Sequence, residues 1–356
     1  MAMIWIALIG FLISFFTVYL MLHFSDKLGL IDIPNARSSH EKPTPKGGGL
    51  GIVLALSISL TVYFAVGYWG TDTRAFVGLI AGILIVGLIG FLDDLRNLSM
   101  WIRLICQLLA ATIAVVAIGP LRSIHIPFME ELHLGALAIP ISLLWIMSVT
   151  NIYNFIDGID GLAAGEGVLG GAFLACIGII AGNTQVAAIG LFIAAASLGF
   201  LVFNFPPAKI FMGDTGSTTL GFTIAATALI GSHSAANSIP FFVFVLLLSN
   251  FLVDGIFTLV KRIGRGERWY HSHREHYYQK AVMSGYSHRQ VTLCEYVIEL
   301  LLGSSAIVYV LYGESLQLTI LLLWLVLFTG LCMWLSFSRV LKTQGEPYSD
   351  DKVSHA

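Results

Sequence analysis

Apolar runs of about 20 residues recur along the whole chain, separated by short polar stretches, and that pattern predicts membrane-spanning helices. Eleven spans are expected, near 3–23, 48–68, 75–91, 104–118, 137–152, 163–182, 187–203, 218–232, 239–260, 291–312 and 317–337. The fold class is therefore all-α, a polytopic helical membrane protein. Residues 1–340 form one integral-membrane domain, and 341–356 form a polar cytoplasmic tail. The first twenty residues lack a basic leader and an A-x-A site, so they read as a retained span.

Composition agrees with the pattern. Of 356 residues, 57% are hydrophobic and only 11% charged, where soluble domains average about 25%. A formal net charge of -2 gives no reason to expect a nucleic-acid partner. The four cysteines are scattered without metal or disulfide spacing and read as small apolar helix residues.

The basic residues set an orientation. With the N-terminus outside and the spans alternating, 17 of the 19 Lys and Arg fall inside, and only Arg74 and Arg122 fall outside. The polar stretches Pro43–Gly49, Asp93-Asp94, Asn151–Gly161, Asp214 and His271–His276 then all face the cytoplasm. Segments far apart in sequence can thus converge on one membrane face.

Each stretch carries chemistry and a plainer alternative. Asp93 and Asp94 are adjacent carboxylates that repel, which suggests a nearby cation or a shared proton, or else an acidic helix start. Asp157 and Asp160, spaced i, i+3, share a face on a helical turn, and Asn151 and Asn154 continue it. A polar loop with caps explains the two asparagines poorly, because they precede the loop. Asp214 lies among glycines at a helix start, as an Mg²⁺ ligand or an N-cap would. Lys42 to Gly49 is a glycine-rich turn with lysines at a helix N-terminus, able to hold an anion or simply to anchor the span. The segment from Lys261 to Arg289 is the most basic and includes His271, His273, His276 and His288. It suits phosphate recognition or lipid headgroups better than zinc. Glu166, Asp254 and Glu299 are isolated acids within the spans and read as satisfied or snorkelling groups.

Taken together, Pro45-x-x-Gly48-Gly49, Asp93-Asp94, Asn151-x-x-Asn154-x-x-Asp157-Gly-x-Asp160-Gly-Leu162 and Met212-Gly-Asp214-x-Gly-Ser217, in that order, resemble a known superfamily. It is the polyprenyl-phosphate N-acetylhexosamine-1-phosphate transferases of the MraY/WecA type, glycosyltransferase family 4. The resemblance covers Asp32 to about Gln290. It implies an Mg²⁺-dependent enzyme of a bacterial inner membrane, with Mn²⁺ as an alternative ion and a cytoplasmic site. It also implies transfer of a sugar-1-phosphate from a UDP-N-acetylhexosamine to undecaprenyl phosphate, releasing UMP. The expected partners are those two substrates and the lipid bilayer, with a homodimer carried as an expectation.

On that resemblance, Asp93, Asp94 and Asp214 are the catalytic expectations, and Asp214 and Asn154 the metal ligands. Lys42, Asn151, Asp157, Asp160, Arg274 and His276 are expected at the substrates, with Asp157 and Asp160 beside the nucleotide. Two departures stand out. The peptidoglycan-precursor branch has a lysine three residues after its acidic pair, where this chain has Asn97, and it has consecutive histidines where this chain reads Arg274-Glu-His276-Tyr-Tyr278-Gln279. The pattern looks like the branch that starts O-antigen or related surface polysaccharides, including members that use 6-deoxy-N-acetylhexosamines. UDP-GlcNAc and UDP-MurNAc-pentapeptide are the alternative donors. A transporter is the alternative from another class, but it should place its polar residues at midplane rather than at one face.

Overall fold

The computed structural model describes residues 1–34, 42–125, 131–233, 237–267 and 275–330. Its helices are α1 (Ala2–Leu28), α2 (Gly49–Ala65), α3 (Thr73–Arg96), α4 (Met100–Ile118), α5 (Ala138–Ile156), α6 (Leu162–Ile180), α7 (Thr184–Asn204), α8 (Gly213–His233), α9 (Phe241–Leu247), α10 (Ser249–Gly264), α11 (Tyr277–Met283) and α12 (His288–Tyr312). A further apolar helix runs over Gln317–Gly330. Two ribbons of two residues per strand, Ile31–Asp32 with Thr44–Pro45 and Ser123–Ile124 with Leu132–His133, are the strands among the described residues. The all-α expectation therefore holds, and the chain has the make-up of a multi-pass membrane protein.

Among the described residues, seven helices are long and apolar enough to cross a membrane, or eight if α9 and α10 form one span. Every expected span carries a helix, yet several differ from a simple crossing. Helix α2 has 17 residues and is short for one. The ninth expected span is broken: α9 and α10 meet at 74° around Leu248. The Ser249 hydroxyl donates to the Leu246 carbonyl at 2.7 Å at that joint, where it competes with the helical ladder.

Helix α8 has the length of a span but is too polar to rank among the seven. Its threonines are nevertheless buried, and Thr218, Thr219, Thr223 and Thr227 donate to the carbonyl four residues earlier at 2.6–2.7 Å. Those bonds satisfy the hydroxyls internally, so a polar sequence can occupy the middle of the bundle. Helices α2, α3, α4, α5, α7 and α9 all pack around α8. The exposed large hydrophobics lie instead on outer helices such as α1, α4 and α10, as a lipid-facing surface requires. The core is thus a ring of apolar helices around one threonine-rich axis, and the N-terminus of that axis carries Asp214.

Candidate active site

Asp93 and Asp94 lie in the last turn of α3, Asn154 lies in the last turn of α5, and α8 begins at Gly213; the three ends meet. Asp94 is buried and caps α8 from outside it. Its carboxylate accepts from the Asp214 N–H at 3.0 Å, the Thr215 N–H at 3.1 Å and the Thr215 hydroxyl at 2.6 Å. The first N–H groups of a helix have no partner within it, and a carboxylate there also meets the positive end of the helix dipole.

The approach depends on missing side chains. A Cβ on Gly90 would stand 2.7 Å from the Asp214 backbone, and one on Gly49 would stand 2.2 Å from the Gly216 nitrogen. The glycine turn before α2 therefore differs from the expected anion cradle. Gly48 N–H donates to the Phe211 carbonyl and Gly49 N–H to the Met212 carbonyl, so both amides bind protein and brace the α8 N-terminus. Lys42 sits exposed ahead of this turn, and its ammonium makes no ion pair among the described residues.

The remaining carboxylates gather at this corner. Asp93 Oδ1 accepts from the Leu98 N–H at 2.6 Å. One guanidinium nitrogen of Arg103 then bridges Asp93 Oδ2 at 3.0 Å and Asp214 Oδ2 at 2.8 Å. Asn154 presents its NH₂ group to Asp214 Oδ1 at 3.0 Å and to the Ser217 hydroxyl at 2.9 Å. Asp157 is half-buried, and no side chain or amide among the described residues donates to its carboxylate. Desolvation first, and then the charges of Asp214, Asp94 and Asp160, push that carboxyl well above the ordinary carboxylate range. Four carboxylates thus gather at this corner, and Arg103 pairs with two of them.

Arg103 was counted in the sequence only as a charge, and it is the residue that reading missed. The available signal was a lone cation one helical turn into α4, ten residues after Asp93. Ser217 and Thr215 were missed likewise; both lie within the Asp214 motif.

Three other expected site residues sit elsewhere. Asn151 donates to the Gln107 side chain at 2.8 Å and to the Met147 carbonyl, which ties α5 to α4 above the corner. Asp160 is turned away from Asp214: its Oδ2 accepts from the Ala208 N–H at 3.0 Å and its Oδ1 lies 3.3 Å from His288 Nδ1. His276 is buried at the start of α11, with Nδ1 3.2 Å from Asp254 Oδ1, and it stacks on Tyr278. Asp254 also accepts from the Tyr277 N–H, so it is a satisfied acid, as expected. Arg274, His271 and His273 lie outside the described residues.

Glu166 and Glu299 do not snorkel. They face each other across α6 and α12, fully buried. Beyond α11, a mostly apolar cavity of about 160 Å³ opens between α10 and α12, lined by Phe251, Val253 and Ile298 among others, with Asn250, Asp254, Gln290 and Glu295 among its polar groups.

Among the described residues, no group of three or more His, Cys, Asp or Glu forms a ready metal cage. The corner still fits a hard divalent cation of the Mg²⁺ type. Such an ion takes one or two protein carboxylates and completes its shell with water and phosphate oxygens. Asp214 offers the carboxylate, and the surplus negative charge supplies the attraction. An oxygen from Asn154 would require its amide to turn over, exchanging the two bonds its NH₂ group makes here.

Comparison with known proteins identifies the family of the chain. Glycosyl transferase family 4 matches residues 76–232, which run from α3 through α8 and leave out the basic segment after Lys261. The chain is 33% identical over 306 residues to a Bacillus subtilis protein named "Probable undecaprenyl-phosphate N-acetylglucosaminyl 1-phosphate transferase", covering 84% of each chain. It is 29% identical over 329 residues to the decaprenyl-phosphate N-acetylglucosaminephosphotransferase of Mycobacterium leprae, covering 82% of this chain and 80% of that one. It is 37% identical over 200 residues to a phospho-N-acetylmuramoyl-pentapeptide-transferase of Clostridium botulinum, covering 52% of this chain and 60% of that one.

Proposed function

The chain belongs to the polyprenyl-phosphate N-acetylhexosamine-1-phosphate transferase superfamily, and from that premise we propose that it moves N-acetylhexosamine-1-phosphate from a UDP-sugar to undecaprenyl phosphate. The carrying observation is the corner at the α8 N-terminus, where Asp93, Asp94, Asp157 and Asp214 gather and Arg103 pairs with Asp93 and Asp214. Two anionic phosphates can meet only where added positive charge offsets their repulsion. We assign Asp214, with Asn154 beside it, to holding Mg²⁺, and Mn²⁺ would be accepted by the same oxygens. When bound, such an ion neutralises phosphate oxygens and polarises the phosphorus under attack.

An oxygen of the lipid phosphate forms a bond to the sugar-bearing phosphorus, and the bond to the UMP oxygen breaks. The second pKa of a phosphate monoester is about 6, so the nucleophile is already mostly dianionic at neutral pH. A general base is therefore not needed, and the three bonds that Asp94 accepts suit a positioning role. Asp93 holds Arg103 against Asp214. From there the guanidinium can turn to a phosphate oxygen when a cation takes its place on Asp214. Asp157, without a donor of its own, is the carboxylate open to an incoming ligand, and we place it and Asp160 on the nucleotide side. Direct attack asks only for positioning and charge neutralisation, and we prefer it to a covalent route.

We propose UDP-N-acetylglucosamine as the donor, because relatives with that sugar in their names match 82–84% of this chain, whereas phospho-N-acetylmuramoyl-pentapeptide-transferases match 52–76% of it. A 6-deoxy sugar and an O-antigen pathway find no such support, and the peptide-bearing donor is disfavoured by Asn97. The proposed topology has the N-terminus outside and the corner at the cytoplasmic face of a bacterial inner membrane, supported by the distribution of 17 of 19 basic residues. The apolar cavity beside α11 is our candidate for the first units of the polyprenyl chain.

The test incubates purified protein, Mg²⁺ and undecaprenyl phosphate with a panel of UDP-N-acetylhexosamines and measures UMP. The expected result is Mg²⁺-dependent release, fastest with UDP-N-acetylglucosamine. No release with any donor would defeat the proposal.

A further inference from the structure

The Asp157–Gly161 turn is gripped from two sides. Along one face of α12, His288, Thr292 and Tyr296 follow at intervals of four residues. The Thr292 hydroxyl donates to the Asp160 carbonyl at 2.8 Å, and the Tyr296 hydroxyl donates to the Gly161 carbonyl at 2.7 Å. From the other side, Gly161 N–H donates to Asn204 Oδ1 at 2.9 Å, and Ala208 N–H donates to Asp160 Oδ2 at 3.0 Å. These contacts hold the backbone of the turn and one carboxylate oxygen.

His288 acts differently from its two neighbours on α12. It alone of the three meets the Asp160 side chain, with Nδ1 3.3 Å from Oδ1. Both side chains are largely covered, at 18% and 14% exposure, so the contact is shielded from water. The same nitrogen lies 3.5 Å from the Asp160 backbone N–H, a contact that would require it to accept. The carboxylate contact is shorter and charge-assisted, which favours a proton on Nδ1. With Oδ2 fixed by a backbone amide and Oδ1 by the ring, the carboxylate plane cannot turn.

We propose that His288 is a positioning residue for the donor nucleotide, setting the plane of the Asp160 carboxylate so that it can accept hydrogen bonds from a nucleoside diphosphate. This rests on the reading that puts the Asp157–Gly161 turn beside the nucleotide. Thr292 and Tyr296 shape the turn, while His288 aims the acid within it.

The test measures UDP affinity by calorimetry with Mg²⁺ present, together with steady-state kinetics, on full-length wild type, His288→Ala, His288→Asn, Asp160→Ala and the double alanine variant. His288→Ala should raise the UDP Kd and the donor KM about tenfold while kcat stays within about twofold. His288→Asn keeps a donor on the Nδ1 side and should recover most of the loss, and it decides the matter if the alanine variant does not fold. The double variant should be no worse than Asp160→Ala, because both changes remove one interaction. If Asp160→Ala weakens UDP binding while His288→Ala leaves Kd and KM unchanged, the proposal falls and the placement of the turn survives. If Asp160→Ala leaves UDP affinity at the wild-type value, that placement falls and takes the proposal with it. A loss of kcat at constant KM in His288→Ala would also overturn it.

Discussion

The acidic corner at the α8 N-terminus and the basic segment after α10 are both dense in charge, but they are balanced in opposite ways. In the basic segment, Arg262 and Arg265 pair with Glu267 and Glu275, and Lys280 lies over the Tyr277 ring at 4.8 Å. Among the described residues of that segment, both glutamates are thus paired with arginines. At the corner, Asp93, Asp94, Asp157 and Asp214 gather, and among the described residues the cation that pairs there is Arg103, with Asp93 and Asp214. Protein charge left without counter-charge is expensive in a bundle, so it marks the place where a cation and its phosphates complete the structure. Charge density alone does not identify a site; the missing partner does.

The largest break in this comparison should come from Asp214→Asn. It removes the carboxylate on which the cation account depends, and UMP release should fall by about 10³-fold or more with the fold intact. Asp94→Asn comes next. It should lower turnover much more than donor affinity, and the weakened cap should cost about 1–3 kcal/mol in stability, read by detergent-phase thermal unfolding. Near wild-type turnover would remove Asp94 from the chemistry.

Arg103→Gln sharpens the contrast, since it takes away the cation that pairs with Asp93 and Asp214. Turnover should fall about 10–100-fold, while half-saturating Mg²⁺ moves to lower concentration because Asp214 loses a competitor. Asp157→Asn probes the unpaired acid. A carboxyl whose folded pKa is raised favours the folded state below its unfolded value, near 3.9, and loses that advantage as pH rises through the folded value. Without Mg²⁺, the variant should therefore unfold about 2–4 °C above wild type at pH 7–8, with the gap closing near pH 4, even as activity drops. The smallest effect is expected in the balanced region. Arg265 holds the Glu275 carboxyl below its usual range, so the pair helps above the unfolded carboxyl value and fades as pH falls through the lower folded one. Glu275→Gln should shift unfolding only slightly at pH 7 and not at all in strong acid, with UMP release unchanged within about twofold.

Helix positions were largely legible because lipid and core both demand apolar runs; α6 was expected at 163–182 and runs over Leu162–Ile180. Two of the boundaries that failed involve distant partners. Helix α8 starts five residues early, at Gly213, because Asp94 caps it from 120 residues away. Helix α5 runs on through Asn154 to Ile156, with Asn151 and Asn154 satisfied by Gln107 and Asp214. The break at Leu248, where the Ser249 hydroxyl bonds the Leu246 carbonyl, lies inside a run that reads as uniformly apolar.

At the site, the residue types were legible and the division of labour was not. Asp157 and Asp160 look alike in sequence, yet one is unpaired at the corner and the other is pinned by Ala208 and His288. The glycines before α2 suggested a phosphate cradle, and their amides instead brace the chain that carries Asp214. Which acid lacks a partner depends on contacts 48 to 128 residues apart, and no local pattern encodes them.

Mn²⁺ binding, followed by paramagnetic resonance in the presence of UDP, tests the central claim most directly. The account predicts one tight site in wild type, lost in Asp214→Asn and kept in Glu275→Gln. An Asp214→Asn protein that folds and binds Mn²⁺ with wild-type affinity would contradict it.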